Sequence, residues 1–403
     1  MTESHPGSAV EAADRQGLWR SWYDTGRFPL VAFAGVATAV WVIVWWSARN
    51  LLRVEPFLRP VPSGGGEWIE GWLRWDAVWY RSIADAGYSY RPGSMSSVAF
   101  FPGYPLVVRF VSALTGDTSI AGVAVTVVAG SAAAWLLWRW TGTSAAAVVG
   151  SLGERRCAVA ALLAWPWAYY LYGAVYADAL FLALALGAFV LVEQDRIALA
   201  AFVAAVAGAT RPVGIAVAIA LALRVVERRG GWRAVRLPTA GALALGLSGV
   251  VAYGGYLWLT FGDPVAFSTV QAAPGWDQPA GLHTWLKASL FEELRAPTGR
   301  APVRILVVQA ILTLTVVSLI PMVWRRFGRA YGVYTAMVVV IPAVGSKDFQ
   351  GMGRYVLAAF PVFALVGGWL AGVRPVVRQA VLGTSLALMV SFAALFGTGH
   401  YLS

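Results

Sequence analysis

Two carboxylates and three cations, all set among aromatic residues, are the side chains in this sequence best suited to chemistry. Asp76 lies in Trp75-Asp76-Ala77-Val78-Trp79-Tyr80, and Asp178 follows Tyr176-Ala177. Arg211 lies in Thr210-Arg211-Pro212, and Lys347 and Arg354 flank a polar, glycine-rich stretch. A carboxylate can take the proton from an attacking hydroxyl. Cations can neutralise charge that builds on a departing phosphate.

Each residue also has a plainer reading. Asp76 precedes a helix expected to start at Ala77, where an Asp serves as N-cap. Alternatively it is a partly desolvated carboxylate at lipid depth, suited to proton abstraction; the two readings stand level. Asp178 opens an apolar helix, where capping and the helix dipole favour a carboxylate. An Arg at a Thr-Arg-Pro break is costly near lipid unless paired, so Arg211 either binds a phosphate or pairs with a carboxylate such as Asp178. Lys347 and Arg354 either hold a lipid phosphate or sit in a solvated loop with Arg354 snorkelling. Gln271 and Trp276, with Asp277 and His283, either line a sugar or acceptor site or form an interfacial cover.

Aromatic residues surround these groups. Trp68, Trp72, Trp75, Trp79 and Ile83 recur at three- and four-residue steps, which predicts one helix face lying at the membrane–water interface. Phe100, Phe101, Pro102, Gly103, Tyr104 and Pro105 make a stiff aromatic segment, either a wall for a sugar or lipid chain or simple packing. The three histidines are scattered and Cys157 is alone, so no metal-ligand spacing and no intramolecular disulfide is expected.

The elements that must position these residues follow from composition. The chain has 403 residues, 59% hydrophobic and only 13% charged. Ordinary soluble domains are about 25% charged, so a water-soluble enzyme and a disordered chain are both excluded. The apolar stretches are continuous rather than alternating, which favours helices over a transmembrane barrel. The net charge of +11 fits basic cytoplasmic loops better than nucleic-acid binding.

Apolar runs at 30–48, 119–139, 157–174, 177–193, 196–210, 212–226, 238–260, 303–323, 331–345, 355–372 and 379–397 predict eleven spans. The first ends in Trp45-Trp46-Ser47-Ala48, which reads as an uncleaved span rather than a signal peptide. Residues 98–115 are expected to lie flat on the outer surface. That choice puts the basic stretch 224–236 inside, as the positive-inside rule requires. The expected organisation is a cytoplasmic N-terminal segment (1–28) and one membrane domain (29–403) with outer loops 49–118 and 261–302. The candidate residues then fall on the outer face, and no nucleotide-binding fingerprint is present.

The motifs also carry a family resemblance. Trp75-Asp76-Ala77-Val78-Trp79-Tyr80, Ile83-Ala84, Gly87-Tyr88, Ala99-Phe100-Phe101-Pro102 and Tyr104-Pro105 resemble the opening signature of the PIG-V mannosyltransferases. Tyr176-Ala177-Asp178 with Leu180-Phe181, Thr210-Arg211-Pro212-Val213-Gly214, Gly262-Asp263-Pro264 with Gln271 and Trp276, and Arg354-Tyr355 with Pro361 resemble later segments of bacterial members in the same order. Asp178 stands where the family usually has Glu.

The resemblance implies a GT-C glycosyltransferase: an all-α polytopic membrane protein working on the outer face of the cell membrane. It implies mannose transfer from a polyprenyl-phosphate-mannose donor to a glycolipid or glycan hydroxyl, inverting, with no cofactor and no metal. Asp76 would be the general base. Trp75, Trp79, Tyr80, Phe101, Tyr104, Asp178, Arg211, Gln271, Trp276, Lys347 and Arg354 would contact substrate. Two other readings remain open: a related enzyme using carrier-linked arabinofuranose or glucose, and a lipid or glycolipid transporter, which would more often show repeat symmetry and midplane polar residues.

Overall fold

The computed structural model describes residues 26–54, 64–143, 150–296 and 303–402. Most of the N-terminal segment expected to be cytoplasmic, residues 1–25, lies outside the described residues. The described chain is helical, with no strand among those residues.

α1 (Phe28–Asn50) is apolar throughout and carries Pro29 in its first turn, where a missing N–H costs nothing. After a short turn of helix (Glu67–Glu70) come α2 (Ala77–Ala86) and the amphipathic α3 (Gly103–Thr115). α3 buries Tyr104, Pro105 and Val108 and leaves Leu106, Phe110 and Leu114 exposed. Gly116 ends it in the left-handed conformation, at φ 76°. α4 (Thr118–Thr141) opens on Asp117, whose carboxylate accepts the N–H groups of Ser119 and Ile120. α5 (Leu152–Leu163) opens on a Ser151–Glu154 capping box.

α6 (Asp178–Glu193), α7 (Ile197–Thr210) and α8 (Ile215–Arg229) follow with short breaks. α9 (Leu237–Leu245) and α10 (Ser248–Phe261) form a pair bent by 50°. α11 (Ala288–Arg295) lies in the second long hydrophilic segment, before α12 (Val303–Phe327) and α13 (Arg329–Gly345). The one-turn α14 (Met352–Tyr355) leads to α15 (Phe360–Gly372), and α16 (Pro375–Gly397) completes the bundle.

Among the described residues, four helices are long and apolar enough to cross a membrane: α1, α4, α12 and α16. The α9–α10 pair and the segment Met352–Ala358 with α15, bent by 84°, bring the number to six if each is one broken span. α7 and α13 are shorter apolar helices. Two sequence expectations are corrected here. The run 157–174 is not one helix: α5 stops at Leu163, and 164–177 is an irregular segment buried almost throughout. Irregular backbone at such depth persists because its polar groups are satisfied by protein. Tyr172 Oη donates to Leu163 O at 2.8 Å, and Thr126 Oγ1 donates to Ala174 O at 2.9 Å.

The tryptophan run at 68–83 is not one helix face either. The helical turn ends at Glu70 and helix resumes at Ala77, with Trp75 in the left-handed region at φ 54°. Gly71 lies close against α1, where a Cβ would meet Val44 Cγ1 at 2.7 Å. Trp72 lies in the core, while Trp68 stays exposed and stacks on Trp45 at 4.7 Å.

The core lies where α4, α6 and α7 meet the buried 164–177 segment. Small residues let the backbones close up; a Cβ on Gly130 would sit 2.1 Å from Leu171 O. Away from the buried segment, the Glu193 carboxylate of α6 accepts from Arg224 and Arg228 of α8 and Tyr331 of α13, tying three helices together.

Candidate active site

The Trp75 turn aims Asp76. Tyr176, from the buried segment, staples that turn: its hydroxyl accepts the Asp76 N–H at 3.1 Å and donates to Arg74 O at 3.2 Å. Arg74 is itself buried, and its guanidinium donates to Gly397 O at the end of α16 at 2.9 Å and 3.2 Å. The tail beyond α16 closes in as well. Trp75 packs on Tyr401 at 4.8 Å, and Trp167 Nε1 donates to Leu402 O at 2.8 Å.

Asp76 occupies the N-cap position of α2, yet its side chain caps nothing. Its Oδ2 accepts from Arg354 Nη1 at 2.9 Å instead. Asp178 likewise makes no capping bond at the start of α6. It takes a direct hydrogen bond from Arg211 Nη1 and faces Arg354 Nε at 3.9 Å. The capping role expected for Asp178 is thus replaced by ion pairing.

Asp76, Arg354, Asp178 and Arg211 therefore form an alternating row of charges. Asp178, Arg211 and Arg354 are all buried, and Asp76 is more open. Burying one such ion alone costs several kcal/mol, about the scale of a whole fold's margin. Alternation offsets that cost because each charge has an opposite neighbour. Aromatic faces complete the enclosure. The Arg354 guanidinium lies over Tyr176, Tyr355 and Tyr170 at 5.1, 5.2 and 5.4 Å. That of Arg211 lies over Tyr355 at 4.8 Å.

A second layer is aromatic. Trp79 stacks on Phe100 at 5.9 Å, and Trp276 meets both rings, at 5.9 Å and 6.1 Å. Tyr80 packs edge-on to Phe100 and Tyr104 at 5.1 Å each, and touches Tyr176 at 6.2 Å. The aromatic cluster thus reaches the charge row through Tyr80 and Tyr176. Lys347 Nζ donates to Trp276 O at 3.0 Å and lies 3.8 Å from Asp277. Lys287 Nζ donates to Thr284 O at 3.2 Å, Val344 O at 3.3 Å and Ser346 O. These two lysines fasten the segment around Trp276 to the 344–350 loop. Burial pushes the Lys287 ammonium's pKa down, against the pull of Asp348, while burial pushes the Asp348 carboxyl up.

The sequence-derived residues thus separate. Asp76, Asp178, Arg211 and Arg354 converge, with Trp75, Trp79, Tyr80 and Trp276 around them. Lys347 serves as a tie at the edge. Gln271 supplies a backbone carbonyl to Gln278 N at 2.8 Å. Two residues fall elsewhere. Phe101 is buried in a separate cluster with Tyr253 and Phe267, at 4.6 and 5.1 Å. Tyr104 is fully buried, with its hydroxyl donating to Gly122 O at 2.9 Å, so it backs Tyr80 rather than lining open space. Both sit on the inward side of α3 or its approach, where packing takes the rings.

Tyr170, Tyr176 and Tyr355 were not singled out from the sequence. A clue was present for two of them: Tyr176 lies two residues before Asp178, and Tyr355 directly follows Arg354. Among the described residues no group of three or more His, Cys, Asp or Glu side chains gathers as a metal site.

Comparison with known proteins follows this geometry. Residues 52–229 match the family described as Mannosyltransferase (PIG-V), a stretch that contains Asp76, Tyr176, Asp178 and Arg211. The match bears out the resemblance carried by the opening motif and supports a membrane glycosyltransferase. No curated protein matches the chain. Among solved structures, the oligosaccharyltransferase of Archaeoglobus fulgidus in its apo form aligns at 13% identity and a TM-score of 0.37. That alignment covers 90% of this chain and 55% of the other, so the chain spans about half the length of that protein.

Proposed function

We propose that the chain is a multi-pass mannosyltransferase of the GT-C class, acting at the outer face of the cell membrane. Its donor is polyprenyl-phosphate-mannose, and its acceptor is a hydroxyl of a glycolipid or glycan. The observation that carries the reading is the row Asp76–Arg354–Asp178–Arg211 beside the Trp79–Phe100–Trp276 cluster. One carboxylate is partly open while the flanking cations are buried.

Each part has a task in that reaction. The aromatic faces receive the apolar side of a sugar ring. Arg354, with Arg211 behind it, receives the donor phosphate. Before the donor arrives, Arg354 rests on Asp76; the donor's phosphodiester monoanion competes for the same guanidinium and leaves Asp76 free as base. The acceptor oxygen then bonds to the anomeric carbon as the bond from that carbon to the phosphate oxygen breaks. Asp76 takes the acceptor proton, and the polyprenyl phosphate leaves with the bonding electrons. Displacement from the opposite face inverts the centre, so a β-linked donor gives an α-linked product. Asp178 holds both guanidiniums in place throughout.

The test is transfer of radiolabelled mannose from polyprenyl-phosphate-mannose to envelope lipids by the purified protein. Label recovered in a lipid or glycan product supports the reading. Transfer from the corresponding arabinofuranose or glucose donor, with none from the mannose donor, replaces mannose by that sugar. No transfer from any of the three donors overturns it.

A further inference from the structure

Arg354 follows a glycine whose two flanking peptide groups are each held by a side chain. The peptide N–H of Gly353 donates to Gln309 Oε1 at 3.1 Å, and the Gly353 carbonyl accepts from Trp165 Nε1 at 2.9 Å. The residue has no room to shift toward the buried segment: a Cβ on Gly353 would lie 2.2 Å from the Trp167 ring. Gly351 enters the same turn at φ 90°, in the left-handed region.

Gln309 is the unusual member. It sits fully buried in α12, one of the four helices long and apolar enough to span a membrane. A polar side chain at such a position is costly and marks a functional contact by default. Its carbonyl oxygen is used by a backbone N–H one residue before Arg354. Its Nε2 has no partner among the described residues. The amide therefore serves the Arg354 turn and nothing else on that helix.

We propose that Gln309 is a positioning residue, which with Trp165 clamps the backbone on both sides of Gly353 and so fixes the Arg354 guanidinium between Asp76 and Asp178. The inference rests on the transfer reaction proposed above, in which Arg354 faces the leaving phosphate. Gln309 itself touches no substrate. Its effect reaches the reaction through one backbone turn.

The experiment pairs two readouts on purified wild type, Gln309→Met, Trp165→Phe and Gln309→Glu, each checked for a monodisperse size-exclusion profile. The first is the rate at which phenylglyoxal modifies Arg354, followed by peptide mass spectrometry, which needs no turnover. The second is steady-state mannose transfer. Gln309→Met and Trp165→Phe are expected to raise Arg354 modification severalfold and to lower kcat about tenfold, with the acceptor KM within about twofold of wild type. Gln309→Glu keeps the accepting oxygen and is expected to stay near wild type in both.

Folded Met and Phe variants with wild-type modification rates overturn the proposal, as does faster modification with unchanged kcat. A Glu variant as impaired as the Met variant also overturns it. If Gln309→Met fails to fold, Trp165→Phe decides. If the wild type transfers no mannose yet Arg354 becomes reactive in the variants, the clamp stands and the transfer reaction falls.

Discussion

Asp76 and Arg354 are 278 residues apart in sequence and form a direct ion pair, Nη1 to Oδ2, at 2.9 Å. The pair joins the turn before α2 to the bent segment before α15. It also sets a condition on chemistry. A carboxylate engaged by a guanidinium is a poorer proton acceptor than a free one. In the proposed reaction a competing anion draws Arg354 away before Asp76 acts as base.

Asp76→Asn removes the base while keeping size and shape. Transfer is expected to fall by about 10²–10⁴-fold, the usual worth of general-base assistance. The protein should still elute as a folded species, because Asp76 caps no helix and lies at the open end of the charge row. Mannose transfer by the purified variant is the measurement. Turnover equal to wild type would remove Asp76 from the reaction.

Much of this site can be read from the residues, and what cannot has a physical reason. The Trp75-Asp76 and Tyr176-Ala177-Asp178 motifs and the Arg211 break are local, so spacing exposes them. Pairing of Arg211 with Asp178 was one of two readings, and the structure adopts it. The Asp76–Arg354 contact depends on how α14 returns to the Trp75 turn, which periodicity does not encode. The helix expected over 68–83 is interrupted at Trp75, and periodicity does not reveal that residue's left-handed backbone. The span at 157–174 failed for a related reason. Its aromatic residues are apolar enough to read as membrane, but the backbone there is irregular and is held by the hydroxyls of Tyr172 on Leu163 O and Thr126 on Ala174 O.

Arg354→Met strips Asp76 of its ion-pair partner and leaves the buried Asp178 with Arg211 alone. Removing one partner of a buried pair costs about 3–5 kcal/mol. The variant should lose transfer and also melt at a lower temperature in detergent. Arg354→Lys keeps the charge but not the planar fork that reaches both carboxylates. It should recover stability in part and activity hardly at all. A lysine variant with wild-type transfer would contradict the geometric role given to the guanidinium.

Trp276 packs on Trp79 and Phe100, and Lys347 ties its carbonyl to the 344–350 loop. Trp276→Ala removes one face of that cluster without touching the charge row. Losing an aromatic contact of this kind is worth about 0.5–1.5 kcal/mol, so KM for the donor should rise about 2- to 10-fold while kcat changes little. Donor-dependence curves on the purified variant give the answer. A fall in kcat at unchanged KM would place Trp276 in the reacting step instead.

Asp117 carries the acid sensitivity that is clearest from its surroundings. Burial alone would push its carboxyl up, but the backbone N–H groups of Ile120, Gly64 and Ser119 outweigh it and hold the pKa below the ordinary 3.8. A carboxylate whose folded pKa is depressed gives stability that is present above the unfolded value and lost as pH falls through the folded one. Asp117 also ties Gly64 to the start of α4, at 2.7 Å. Asp117→Ala should therefore cost about 0.5–2 kcal/mol at neutral pH, the usual worth of an N-cap. That gap between wild type and variant should narrow as the pH is lowered below 3.8. Thermal melts of both proteins in the same detergent at neutral and acid pH measure it, and a gap that stays constant across that range would mean that the negative charge of Asp117 contributes nothing to the cap.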